Sequence, residues 1–308
     1  MVNKWGKPGG RARRTRARPP ELMRSNSMSA AEAPTAARGP APTPAPPATA
    51  PTTAPTKAGN LQGQVDANGV YTAANGPMQG GGVFAKVGNV TGFSRVRVMP
   101  PLPWKFDFSD TPVGRPPLTW TGAGTKFSAQ DIDGQRALMK LTDIPLYARA
   151  RTYFGSSDMK NYTIQADVRV TESTFEENGQ TVRQIPDVGV INTRYVMELK
   201  GSKQTLGLHA WPAALPRDER DPGLATHVAI SFPWKANTWY RQKLTLTQQN
   251  GKAIVRGKVW EPSKPEPSDW TITLEDPTPN TNGAPGLWGF SNFHEIYYDN
   301  ILVSENQQ

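Results

Sequence analysis

From Ala58 onward, apolar and polar residues alternate in short runs separated by Gly, Pro, Asn and Asp, and apolar positions never recur at helical spacing. The pattern predicts antiparallel sheet throughout. The longest clean alternation is Tyr162, Ile164, Ala166, Val168 and Val170, with Thr163, Gln165, Asp167 and Arg169 on the other face. A period of two sends successive side chains to opposite faces, so the first set is the predicted core side. The same spacing recurs at Trp104/Phe106/Phe108, Tyr195/Met197/Leu199, Leu206/Leu208/Ala210, Tyr240/Gln242/Leu244/Leu246, Ala253/Val255/Val259, Trp270/Ile272/Leu274 and along 296–303. Asn250-Gly251 is a strong two-residue hairpin signal, and Asp133-Gly134 and Asn282-Gly283 resemble it. About a dozen strands over ~200 residues exceed what one open sheet holds, so two packed sheets are predicted, as in a jelly roll.

A smaller set precedes them: strands at 69–72, 83–87 and 94–98, with glycine-rich turns expected at Gly80–Gly82 and Gly88–Gly92. Three strands are too few to close a sandwich of their own. Further upstream, residues 33–57 are almost wholly Ala, Pro and Thr, a composition that reads as a semi-stiff linker with too little apolar surface to offset ordering. The expected organisation is therefore a disordered basic tail and linker over 1–58, a short strand segment over 59–99 and a β-sandwich over 100–305.

Charge follows the same division. The formal net charge is +9, yet residues 1–57 hold ten of the basic residues, including Arg11, Arg13, Arg14, Arg16 and Arg18, against only Glu21 and Glu32, so the remainder is nearly neutral. A basic chain ordinarily suggests nucleic acid or an anionic surface, but here the signal belongs to the tail. Only Trp5 accompanies the arginine run, so nucleic-acid contact is expected solely as non-specific binding through the tail. The basic start leads into Pro, Glu and Ser rather than an apolar stretch, so no secretory signal is read. No apolar run is long enough for a spanning helix. With no Cys, disulfides, thiolate metal sites and cysteine nucleophiles are excluded.

Several segments are similar to known families. Pro100–Phe108, Pro116–Trp120, Lys140-Leu141-Thr142-Asp143 and Arg149–Gly155 resemble the C-terminal region of large bacterial proteins that carry pyrroloquinoline-quinone-type (PQQ) β-propeller repeats. Trp239-Tyr240-Arg241, Gly286-Leu287-Trp288-Gly289-Phe290 and Tyr298–Val303 resemble closing strands of the concanavalin A-like superfamily of lectins, glucanases and LamG-like domains. Residues 66–98 are similar to the last strands of a bacterial immunoglobulin-like module. The resemblance implies an all-β, concanavalin A-like jelly-roll sandwich preceded by a short Ig-like strand set, and a periplasmic or extracellular setting. Propeller repeats are not found, so quinone or scaffold roles residing in a propeller are not expected, and the unrelated tail suggests a truncated or rearranged gene.

Catalytic signals are sparse. The Glu-x-Asp-x-Glu strand of superfamily glucanases, which would line three carboxylates on one face, does not occur; Glu219-Arg220-Asp221, its nearest match, lacks the third acid and reads as a surface ion-paired loop. There is no Gly-x-Ser-x-Gly elbow or phosphate loop. His209, His227 and His294 lack metal-ligand spacing, and Asp299-Asn300 reads as a cap on the last strand pair rather than part of a calcium site. No catalytic residue, metal or cofactor is expected. Trp104, Trp120, Trp239 and Trp270 are assigned to packing. A shallow sugar-binding groove needs rings for stacking and polar groups for hydroxyls, and the candidates are Tyr195, His209 and Trp211 with Arg151, Arg194 and Glu198. The expected role is a non-catalytic accessory module of an exported protein, with a glycan or a cell-envelope protein as partner. A glycoside-processing enzyme is the alternative, because Asp187–Arg194 and Tyr195–Glu198 are similar to the sheet core of keto-disaccharide hydrolases.

Overall fold

The structure is a computed structural model that describes residues 53–141, 148–211, 227–291 and 294–306. The arginine-rich tail, most of the Ala/Pro/Thr stretch and Glu219-Arg220-Asp221 lie outside the described residues.

Twenty-one strands and no helix occur among the described residues, and every strand pairing is antiparallel. They build the predicted jelly-roll sandwich. One sheet runs β19-β18-β17-β10-β21-β8-β7, with β6 also paired to β21. Its strands are β6 (Trp104–Phe106), β7 (Phe127–Ile132), β8 (Gln135–Lys140), β10 (Tyr162–Val170), β17 (Tyr240–Gln249), β18 (Lys252–Trp260), β19 (Ile272–Asp276) and β21 (Ile296–Glu305). The facing sheet runs β16-β15-β14-β13-β20-β9. It contains β9 (Arg149–Tyr153), β13 (Asp187–Asn192), β14 (Tyr195–Lys200), β15 (Thr205–Ala210), β16 (His227–Ser231) and β20 (Gly286–Phe290).

The alternation assigns the faces correctly. Tyr162, Ile164, Ala166, Val168 and Val170 are all buried and meet Val188, Val190, Met197, Leu206 and Leu208 from the opposite sheet in one continuous core. Trp104, Phe106, Phe108, Trp120 and Phe154 close one end, where the Trp120 and Phe154 rings stack at 4.3 Å between centroids. Asp133-Gly134 and Asn250-Gly251 form the two-residue hairpin turns predicted, all four residues having positive φ.

Some boundaries differ. β1 (Thr53–Gly59) is a strand where the linker was expected to continue; it is an edge strand with a register shift between Thr53 and Thr56, the setting that tolerates Pro55. Gly80–Gly82 are not a turn but part of β4 (Gln79–Val87), and a Cβ on Gly81 would lie 1.9 Å from the Ala58 carbonyl oxygen, so bare backbone lets β1 approach. β4 pairs with β5 (Val90–Val98), whereas β3 (Tyr71–Thr72) pairs with β2 (Gln64–Val65) in a separate ribbon. Arg95 and Arg97 of β5 donate to the carbonyls of Leu118, Thr119 and Trp120, tying this small sheet to the sandwich. Asn282-Gly283 is an irregular connection, with Gly283 N–H donating to the Met159 carbonyl. Asn178-Gly179 makes an unpredicted hairpin of β11 (Ser173–Glu177) and β12 (Gln180–Gln184). Asp299-Asn300 lies within β21, beside a bulge against β10, rather than at a strand end.

No helix among the described residues is long and apolar enough to cross a membrane.

Candidate functional site

The outer face of the six-stranded sheet carries the densest chemistry. Leu199, Leu208, Val188 and Leu287 point into the sandwich, so their strand neighbours point outward. Register then sets one rung across five strands: Gly207 of β15, Glu198 of β14, Gly189 of β13, Trp288 of β20 and Arg151 of β9. The adjacent rung is His227, His209, Val196, Ile191, Gly286 and Tyr153. Glycines at 189 and 207 flank Glu198 without side chains, and the Trp288 indole Nε1–H reaches across Gly189 to donate to Glu198 Oε2 at 2.6 Å.

Glu198 is only 3% exposed, a costly place for a carboxylate without partners. It has three: the Trp288 N–H, Lys200 Nζ at 2.9 Å and His209 Nδ1 at 3.5 Å. Burial lowers the His209 pKa, outweighing the opposing pull of Glu198. Asp187 lies on the same face, with its Oδ1 accepting the Gly201 N–H at 2.8 Å. Burial pushes its carboxyl up to about 6, against that hydrogen bond and with help from the Glu198 charge.

The aromatic part of the face is equally ordered. Ile191, Val196 and Trp288 form a second apolar cluster outside the main core, with Tyr153, Trp211 and Phe290 against it. The Arg151 guanidinium carbon sits 3.7 Å from the Trp211 ring centroid and 4.7 Å from that of Trp288, and Arg149 lies over Trp288 and Phe290. Burial lowers the Arg151 pKa, and its Nε and Nη2 are buried without a hydrogen-bond partner among the described residues.

Four of the six predicted site residues, Arg151, Glu198, His209 and Trp211, therefore share this face. The other two are elsewhere. Tyr195 points into the sandwich, fully buried, and its hydroxyl donates to Asp276 Oδ2 at 2.9 Å; Arg194, in the β13–β14 turn, pairs with the same oxygen at 3.3 Å. Sequence reasoning missed Trp288, Asp187 and Arg149. Trp288 entered the sequence analysis only within the Gly286–Phe290 closing-strand resemblance, and it is strand order that brings it beside Glu198. Trp211 offers no bare stacking platform, because Arg151 occupies one side of its ring. Trp104 and Trp120 are buried in packing as expected, whereas Trp239 and Trp270 are half-buried, and Lys258 lies over the Trp270 ring. Among the described residues, no group of three His, Asp or Glu side chains is arranged to hold a metal.

No family model matches the chain, and no curated protein matches it. Solved structures with a similar arrangement include the VIP36 exoplasmic/lumenal domain in its Ca²⁺/Man3GlcNAc-bound form (9% identity, TM-score 0.38, covering 64% of this chain and 90% of that one). Others are an endo-1,3-beta-glucanase from Streptomyces sioyaensis (8%, 0.38, 61% and 81%) and the winged bean acidic lectin complexed with methyl-alpha-D-galactose (9%, 0.40, 67% and 100%). None of these likenesses bears on ligand or activity.

Proposed function

We propose that the protein is a non-catalytic glycan-binding module of the concanavalin A-like type, using the outer face of the six-stranded sheet. In this reading the sandwich over 100–305 carries the site, the Ig-like strand segment, which begins with β1 at Thr53 rather than at 59 and runs to 99, and the basic tail ahead of it precede the sandwich, and the whole belongs to an exported bacterial system. One observation carries the proposal: charged and hydrogen-bonding groups, Arg151, Glu198, Lys200 and His209, are held beside Trp211, Trp288 and Tyr153 on one sheet face, with two Arg151 donors unmatched among the described residues. Sugars are recognised by this mixture of ring faces and directed polar groups. The test is binding of the full chain to a glycan array, with Glu198→Gln and Trp211→Ala as comparisons. Selective binding that both substitutions weaken supports the reading; a blank array refutes it.

A glycoside-processing activity is the second reading. Asp187 and Glu198 are carboxylates on adjacent strands of one face, and Asp187 titrates near 6, a pairing used for acid–base work on glycosidic bonds. Turnover of glycosides or keto-glycosides that Asp187→Asn abolishes, with binding retained, would favour it over simple recognition.

A further inference from the structure

The two edges of the small sheet β1-β4-β5 are built differently. β1 carries Pro55 and a register shift between Thr53 and Thr56, features that discourage a further strand from pairing there. Two edge strands of the sandwich are covered by the chain itself: Thr121 exchanges backbone hydrogen bonds with Tyr153 of β9, while Gly114 donates to and Arg115 accepts from Ala129 of β7. β5 has neither protection. Its nine residues contain no Pro, Lys, Asp or Glu, and they match β4 one to one from Val98 opposite Gln79 to Val90 opposite Val87, without a bulge.

The hairpin fixes which backbone groups of β5 are left over. Gly88-Asn89 is a two-residue turn with Gly88 at φ +57°, so Val87 and Val90 exchange both of their hydrogen bonds, and bonded pairs alternate from there. Gly92, Ser94 and Val96 therefore bond to β4, while the N–H and C=O groups of Thr91, Phe93 and Arg95 point away from the sheet. Among the described residues no group bonds to them. Side chains do not shield this edge either. The Phe93 ring leans back onto Phe84 of β4, at 4.9 Å between centroids, and Arg95 and Arg97 turn towards the carbonyls of Leu118, Thr119 and Trp120. Val90 is 73% exposed and Phe93 62%, so the free edge is also apolar.

We infer that β5 is a self-pairing edge: a second copy of this chain adds its own β5 antiparallel, giving a two-fold dimer in which the three strands of each small sheet join into one continuous sheet. The inference is independent of the glycan-binding reading. What commits the edge to its own copy is self-complementarity. A two-fold axis through Phe93 sets Phe93 opposite its counterpart, Thr91 opposite Arg95 and Val90 opposite Val96. Each outward N–H and C=O at 91, 93 and 95 then meets a group of the same set, and two Val90–Val96 contacts close on the other face. No like charges stand opposite each other in this register, whereas centring the axis on Arg95 would set two arginines face to face.

The test is sedimentation velocity of the full chain over about 1 to 500 µM, because edge pairing of this extent gives micromolar rather than nanomolar self-association. A reversible monomer–dimer equilibrium is expected. Thr91→Pro removes one outward donor from each copy and none of the bonds to β4, and should weaken the dimer about 10- to 100-fold. Val90→Lys, at a position already exposed, sets a charge against Val96 of the second copy and should weaken it as well. Both variants should unfold thermally near the wild type at concentrations where the wild type is monomeric. Hydrogen exchange gives the local readout: the amides of 91, 93 and 95 should exchange more slowly in concentrated than in dilute wild type, and Thr91→Pro should abolish that difference at 93 and 95. A chain that stays monomeric throughout overturns the inference and leaves the edge to an extended segment of an unlike protein. A dimer that both substitutions leave intact, or one in which these amides exchange equally at every concentration, overturns it too.

Discussion

Lys140 is the most testable oddity of the core. It sits on β8 between Phe127 and Ile296, which are themselves core residues, so its side chain points into the sandwich and is completely buried. Among the described residues its Nζ donates only to the carbonyls of Leu141 and Ser291, both at 3.2 Å, and no carboxylate pairs with it. Burial lowers its pKa from 10.5 to about 8. At about 1.4 kcal/mol per tenfold change in proton affinity, that depression destabilises the fold by about 3 kcal/mol at neutral pH. The sign follows from proton counting. Between about 8 and 10.5 the unfolded chain holds the proton and the folded one does not, so stability rises with pH across that window and the penalty is fully present below it. Lys140→Met retains the stem, removes the charge and leaves two carbonyls short of a donor at about 1 kcal/mol each. The variant should therefore be about 1–2 kcal/mol more stable than wild type at pH 7 and less stable than wild type by a similar margin near pH 10.5. Urea unfolding followed by tryptophan fluorescence at several pH values measures the difference, and groups common to both proteins cancel. A stability difference that stays constant between pH 7 and 10.5 would show that Lys140 carries no such penalty.

Other consequences concern the outer face of the larger sheet and its turns. Asp299 lies directly opposite Asp167, and burial raises it to about 6, so the charged form costs the fold stability above that pH. Stability contributed by this group falls as pH rises from 3.8 to about 6, and Asp299→Asn should stabilise by about 1–3 kcal/mol at pH 7 with little effect near pH 3.5, read from chemical denaturation. Asp167→Asn removes the charge and turns one of the two oxygens held by the Arg241 fork into an N–H donor, and should cost about 3 kcal/mol, while the Asp299 pKa, followed by NMR titration, drops once its like-charged neighbour is gone. Gly134 has φ +81° and open space where a Cβ would stand, so Gly134→Ala tests backbone conformation alone; a loss of about 1 kcal/mol in thermal or urea unfolding is expected.

The facing of each strand is legible in the order of its residues. The residues at 162, 164, 166, 168 and 170 turn inward because burial on one face of a pleated strand must repeat every second position. That rule also separates Tyr195 from Glu198, three positions apart on opposite faces of β14, although both are natural candidates for one groove. Local turn chemistry was legible where Asp-Gly or Asn-Gly carries the chain back at once, at 133–134 and 250–251. It misled at Gly80–Gly82, because missing side chains serve close strand approach as readily as reversal. Which strands lie side by side is not legible there. Arg151, Glu198 and Trp288 are far apart along the chain and meet because β9, β20, β13 and β14 are consecutive in one sheet. Strand order is a property of long-range pairing, set by how the whole core closes rather than by any local run of residues. The inward lysine at 140 is likewise a fact of packing, since a carbonyl's approach leaves no trace in the local sequence.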